Sequence, residues 1–216
     1  MRKAAIFDLD GTILNISSER TFFFYLFLRG DISLKDFTIW LGYCVKKAYR
    51  DNFTAAIKSN KMYLRNKSYK RLYELASRCF TEKLSDHISD EAVKEIEYHR
   101  SKGHYLILLS GTLNLLLKHF MDYLKMDLMI GTSVETQNNT FTGRLNGVHP
   151  FGESKALIAK KIAQEYEINL EESYGYGNSF SDVPFLNTVG HAIAVNPDNR
   201  LTRYARQNNW RIMNFV

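Results

Sequence analysis

Ala4-Ala5-Ile6-Phe7-Asp8-Leu9-Asp10-Gly11-Thr12 carries an apolar run directly into two carboxylates, two residues apart, followed by a glycine. Ala4 to Phe7 predicts a buried strand, and Gly11 ends it. Side chains alternate along a strand, so Asp8 and Asp10 leave it on the same side. Two close carboxylates repel unless a cation or a shared proton compensates them. A plain turn of Asp and Gly closing a strand would use the same residue types. The meaning of the pair therefore depends on what the rest of the chain brings to it.

Three later segments supply partners of the right chemistry. The apolar run Tyr105–Leu109 ends in Ser110-Gly111-Thr112, where a small hydroxyl and an unobstructed backbone can donate to a phosphate oxygen. Alone, that tripeptide is a turn or a helix cap. Lys155 opens the periodic segment Ala156–Tyr166, placing a cation at the end of a helix dipole that disfavours it, which points to an anionic partner. Without that partner it is a surface lysine. Finally, Tyr174-Gly175-Tyr176-Gly177-Asn178-Ser179-Phe180-Ser181-Asp182 follows a strand with an amide and an acid four residues apart.

Taken in order, these segments resemble the four motifs of the haloacid dehalogenase (HAD) superfamily. The resemblance runs from Ala4 to about Trp210. Val189–Val195, Asn196-Pro197-Asp198 and Leu201–Arg206 resemble the end of its phosphoserine phosphatase-like branch, subfamily IB. It implies that Asp8 is a nucleophile forming an aspartyl-phosphate and that Asp10 is the general acid and base. Ser110, with Gly111, would hold the phosphoryl group, and Lys155 would neutralise charge beside it. Asp8, Asp10, Asn178 and Asp182 would hold Mg2+, with Asp182 either a ligand or an orienting group. The departure is Asn178, which stands where many relatives carry Asp. Its amide oxygen is still a hard-cation ligand, but the site has one negative charge fewer.

The resemblance implies Mg2+-dependent hydrolysis of a small phosphorylated substrate. Asp10 argues against a dehalogenase, which does not need that acid, while a phosphotransferase or phosphomutase shares the first motif and excludes water. In the phosphoserine phosphatases a cap Glu and Arg grip the amino acid. Glu19 and Arg20 lie near that region, but Ser17 stands about where the carboxylate is expected, which weakens phosphoserine as the substrate.

The 216 residues, 45% hydrophobic and 24% charged, are ordinary for a globular chain able to bury a core. Cys44 and Cys79 lie far apart without metal-ligand spacing, which predicts buried free thiols and a reducing compartment. No signal-peptide pattern opens the sequence, and Phe22–Leu28 is far shorter than the roughly 20 residues a membrane span needs. A cytoplasmic location without a transmembrane segment is the expectation. Nothing in the sequence specifies an oligomeric state.

Between Ile16 and about Leu84 apolar residues recur at helical spacing, as in Leu34, Phe37, Leu41 and Val45 or Leu72, Leu75 and Cys79. Asp31-Ile32-Ser33 and Asp51-Asn52 read as helix breaks. In the HAD family such an insertion is a C1 cap, so the expected organisation is a catalytic core at 1–15 and 85–216 and a helical cap at 16–84. Elsewhere strands (Ala4–Leu9, Tyr105–Leu109, Leu128–Ile130, Ser173–Tyr176, Ala192–Val195) alternate with helices (Asp90–Lys102, Leu113–Leu124, Lys155–Tyr166, Ser181–Asn187, Arg200–Gln207). A hairpin is expected around Asn138-Asn139. That order predicts an α/β fold, a Rossmann-like and mainly parallel sheet covered on both faces, with the all-helical cap inserted after the first strand. Ligands bind at the carboxyl ends of such strands, where Asp8, Asp10, Ser110 and Asn178 all fall.

The insertion carries 14 Lys and Arg against 6 Asp and Glu, more than the whole chain's excess of +6. That is either attraction for a phosphorylated substrate or a solvated helical surface. Lys58, Lys61, Arg65, Lys67, Lys70 and Arg71, interleaved with Tyr63, Tyr69 and Tyr73, have the composition of a nucleic-acid surface. No groove-reading motif accompanies them, and no nucleic-acid partner is expected. The run Phe22–Leu28 beside basic helices suits either the roof of the site or a membrane surface, keeping a lipid-phosphate substrate as an alternative.

Overall fold

The opening run is the central strand. In the computed structural model, which describes residues 1–48 and 58–215, β1 (Ala4–Phe7) pairs in parallel with β2 (Tyr105–Leu113) and with β6 (Tyr174–Gly177). Outside them lie β3 (Leu128–Thr132) on one side, β7 (His191–Val195) and β8 (Arg211–Met213) on the other. The order β3-β2-β1-β6-β7-β8 is parallel throughout. The chain changes direction across the sheet between β1 and β6, which opens a crevice at the strands' carboxyl ends.

Alternation along these strands explains why both faces are covered. Ala5, Phe7, Leu106 and Leu108 belong to one buried cluster, and Ala4, Ile6, Ile107 and Leu109 to the other. The first cluster receives α1 (Ser18–Leu28), α3 (Tyr69–Cys79), α4 (Asp90–Ser101) and α5 (Asn114–Tyr123). The second receives α6 (Glu153–Glu165), the single turn α7 (Val183–Leu186) and α8 (Asn199–Gln207). The predicted α/β sheet is therefore the observed one, with two adjustments. Strand β2 runs on through Ser110 to Leu113, because its pairing with β3 shifts register after Leu109 instead of ending there. The edge strand β8 was not expected: it is three residues long with no apolar alternation.

Residues 16–48 and 58–84 contain no strand of the sheet and hold α1, α2 (Leu34–Ala48) and α3. The expected break at Asp31-Ile32-Ser33 separates the first two, and Asp36 accepts from Ser33 while Ser33 accepts from the Asp36 amide to close the turn. The proposed break at Asp51-Asn52 lies outside the described residues. Leu72, Leu75 and Cys79 are buried as their spacing predicted, and both cysteines are buried and free. On α2 the expected stripe does not pack inward: Leu34, Leu41 and Val45 are exposed. The hairpin of β4 (Val134–Gln137) and β5 (Thr140–Leu145) forms where Asn138 and Asn139 adopt positive φ. It holds the helical segment by main-chain bonds, from Asn66 to Phe141, Phe141 to Lys67 and Tyr69 to Asn139.

Behind the central strand a polar chain is buried. The Tyr176 ring stacks on Phe7 at 4.3 Å, and its hydroxyl donates to Glu95 at 2.6 Å. His99 bonds that hydroxyl at 2.6 Å and His104 at 2.7 Å. Burial, then the neighbouring His104, lowers the His99 pKa from 6.5 to about 4. The fold thus favours the neutral ring, whereas the unfolded chain takes up a proton near pH 6.5. Stability from this group is complete above that pH and is lost as pH falls toward about 4, with a ceiling of about 3 kcal/mol. Urea unfolding at neutral pH and near pH 4.5 is expected to show a steeper acid loss in the wild type than in His99→Gln. Equal losses would contradict the assignment.

Candidate active site

All of the sequence-predicted residues at the sheet end line one cavity of about 650 Å3: Asp8, Asp10, Ser110, Gly111, Lys155, Asn178 and Asp182. Glu19 and Arg20, from the first turn of α1, line it as well. Four separate stretches meet because each follows the carboxyl end of a parallel strand or opens the next helix.

Asp8 is fixed by the sheet, its amide donating to the Tyr176 carbonyl at 3.0 Å. The Lys155 ammonium lies 3.1 Å from Asp8 Oδ1 and donates to Asp182 Oδ1 at 2.8 Å. Burial raises the Asp8 pKa above its ordinary value; Lys155 opposes this and Asp182 adds to it. Lys155 is itself buried, which pulls its pKa down, but Asp182 and Asp8 more than reverse that and hold it charged. Helix α6 starts two residues earlier than the periodicity suggested, so Lys155 sits in its first turn, and the N-terminal residue Gly152 provides no side-chain cap. That end of the helix and the lysine both favour an anion.

Asp10 has different surroundings. Its Oδ1 accepts the Ser18 amide at 2.9 Å, and its Oδ2 accepts from the Thr112 hydroxyl at 3.5 Å. Burial pushes its pKa up to about 7, with Asp8 and Glu19 adding and the Ser18 bonds opposing. Near neutral pH this carboxyl can hold or release a proton, as a general acid and base must. The two carboxylates read together in the sequence are thus held in different surroundings by their neighbours.

Asn178 stands directly over Gly11, whose φ is +79°; a Cβ there would lie 2.0 Å from Asn178 Nδ2. The glycine of the first motif is required by both its turn and that side chain. Asp182 has both oxygens engaged, one by Lys155 and the other by the Ser179 amide at 3.1 Å in a capping box. Among the described residues no three acidic, histidine or cysteine side chains gather to hold a metal. The floor nevertheless gathers the oxygens of Asp8, Asp10, Asp182 and the neutral Asn178 in one cavity with Lys155. Such an oxygen-rich set fits a hard divalent ion such as Mg2+, which binds few carboxylates and keeps waters.

Four residues of the site escaped the sequence reading. Ser18 and Thr112 share a hydroxyl contact at 3.0 Å and hold Asp10. Thr132 donates to the Gly111 carbonyl and contacts His149 Nδ1 at 2.7 Å, placing His149 against the glycine of the second motif. Ser18 and Thr112 adjoin residues already singled out; His149 and Thr132 carry no spacing signal. The basic cluster of the insertion is not a single surface. Lys61 is buried and paired with Glu19, Lys67 with Asp36, and Arg71 with Asp31. Tyr63 is buried, and Tyr69 and Tyr73 pack on Phe141 and His119.

Comparison with known proteins agrees with this geometry. The family model described as haloacid dehalogenase-like hydrolase matches residues 5–187. A phosphoserine phosphatase of Mycobacterium tuberculosis is 30% identical over 98% of this chain and 70% of its own length. A histidinol-phosphatase of Neisseria meningitidis is 27% identical over the whole of both chains. A Bordetella pertussis protein of unknown function has the same fold over all of both chains, with a TM-score of 0.86 at 22% identity. A phosphoserine phosphatase in apo form superimposes with a TM-score of 0.69 at 17% identity, covering 100% of this chain and 94% of its own. The chain belongs to the haloacid dehalogenase-like hydrolase family, as a phosphatase of the phosphoserine phosphatase-like type.

Proposed function

We propose that the enzyme hydrolyses a small-molecule phosphate monoester through an aspartyl-phosphate at Asp8. The observation that carries this is the pairing of Asp8, 3.1 Å from a buried Lys155, with an Asp10 whose pKa is pushed up to about 7 in the same cavity. An Asp8 oxygen attacks phosphorus, forming the acyl phosphate as the ester P–O bond breaks. Asp10, protonated, gives its proton to the departing alkoxide. The resulting Asp10 carboxylate then takes a proton from water as that water attacks phosphorus, releasing phosphate and restoring Asp8. Ser110, the Gly111 backbone and Lys155 stabilise charge on the transferring oxygens, and Asp182 orients Lys155.

Asp8, Asn178 and, from the same turn as Asp8, Asp10 would hold Mg2+. The ion supplies charge neutralisation on the phosphoryl oxygens. Residues 16–84 act as the cap over a core of 1–15 and 85–216; the presence of Glu19, Arg20, Phe23, Phe37 and Trp40 in the cavity lining supports this reading. No helix among the described residues is long and apolar enough to cross a membrane. A cytoplasmic site of action suits an enzyme with two buried free thiols.

Chelation of divalent ions is expected to abolish hydrolysis of a generic aryl phosphate, and added Mg2+ to restore it. Asn178→Asp is expected to lower the Mg2+ concentration for half activity by about 5- to 30-fold, the scale of one added charge at a partly screened site. An unchanged or higher requirement would mean that residue 178 does not serve the ion.

A further inference from the structure

The cavity has two chemically different ends. Acids, Lys155 and Asn178 occupy one. The other is built from rings: Phe23 of α1, Phe37 and Trp40 of α2, and Tyr63. Phe23 meets Tyr63 at 5.3 Å and 77° and Trp40 at 5.9 Å and 40°, and Phe37 meets Trp40 at 5.6 Å and 32°. We propose that this end receives a planar aromatic or heteroaromatic leaving group. The proposal rests on the phosphatase reading above and names the class of its substrate.

Three observations carry it. First, although Tyr63 is buried in the core and Phe23 and Trp40 pack against it, part of the ring surface stays open to the cavity. The apolar residues α1 buries are Phe22, Tyr25 and Leu26, whereas Phe23, Phe37 and Trp40 remain half-buried along the cavity. Apolar ring surface kept facing a cavity is stabilised when a ligand displaces its water. Second, the cavity exceeds the need of a short-chain ester. A volume of about 650 Å3 lies in the range that encloses a ligand of some size, so a three-carbon leaving group would leave the ring end filled with water.

Third, the acid and the amide at this end already have partners within the protein. Glu19 Oε1 accepts from the buried Lys61 ammonium and from the Tyr63 hydroxyl at 2.9 Å. Its charge is therefore already paired within the protein. The Asn60 side chain is spent on the α2 carbonyl of Trp40 at 3.0 Å and on the Met62 amide at 2.9 Å. An enclosure of tilted rings suits an aromatic ring, which gains edge and face contacts that a saturated ring of equal size lacks.

The test compares 3-phenylpropylphosphonate with 3-cyclohexylpropylphosphonate, by calorimetry with Mg2+ present, alongside turnover of the matching phosphate esters and of O-phosphoserine. The phenyl compound is expected to bind about fivefold more tightly or better. Trp40→Leu is expected to bring that ratio close to one, with Phe37→Leu as the second variant should the first not fold. Equal binding of the two phosphonates, tighter binding of the cyclohexyl compound, or preferred turnover of phosphoserine would overturn the proposal. If no ester is hydrolysed while the binding ratio holds, the phosphatase chemistry fails and the ring receptor stands. If all esters turn over with no ring preference, the receptor alone fails.

Discussion

Asp8→Asn is expected to lower turnover of phosphate monoesters by about four orders of magnitude or more, with the fold intact. An amide is a poor nucleophile, and Asp182, the other acid paired with Lys155, has its second oxygen taken by the Ser179 amide. Stability should not suffer. Asp8 is a buried acid whose ionisation is disfavoured first by burial and then by Asp182, so a neutral residue removes a repulsion. Lys155 keeps its bond to Asp182 at 2.8 Å. Thermal unfolding and kcat on an aryl phosphate check both halves of this expectation. A folded Asp8→Asn protein with wild-type turnover would end the nucleophile assignment.

Lys155→Met should affect both stability and rate. The ammonium lies between two buried carboxylates, and a methionine of similar length leaves Asp8 and Asp182 without their cation. Breaking a buried pair by removing one partner costs about 3–5 kcal/mol. One of the acids can respond by taking a proton, which moves the measured loss toward the lower figure at mildly acid pH. The double variant Lys155→Met/Asp182→Asn should recover part of the stability, because it removes one orphaned charge, yet remain catalytically impaired. Urea unfolding of the two proteins separates these effects. A single variant that loses less than about 1 kcal/mol would mean that the pair is solvated.

The sheet and the floor of the site were legible because their signals are local. A strand that delivers Asp8 and Asp10, a hydroxyl and glycine after a second strand, and an amide after a third are each readable within ten residues. Parallel topology then brings their carboxyl ends together. The environments of the two acids were not legible. Asp10 is tuned first by burial and is held by Ser18 and Thr112, the latter 102 residues away. Nor could periodicity give the partner of a face. The α2 repeat predicted a buried stripe, but Leu34, Leu41 and Val45 are exposed while Phe37 and Trp40 turn to the cavity. Glu19, read as a substrate residue, does line the cavity, but its pairing with Lys61, 42 residues on, could not be read from spacing. His149 escaped because a contact across Thr132 to Gly111 leaves no trace in spacing.

The mechanism turns on a covalent bond between phosphorus and Asp8. Asp10→Asn protein, mixed with 4-nitrophenyl phosphate and quenched in acid, should accumulate that species. The nitrophenolate leaves without a proton donor, whereas the water of the second step still needs a base. Peptide mass analysis is then expected to find one phosphoryl group on the peptide containing Asp8, and none when Asp8 is also changed to Asn. Rapid release of nitrophenolate with no phosphorylated peptide, or a phosphoryl group on another residue, would contradict the mechanism.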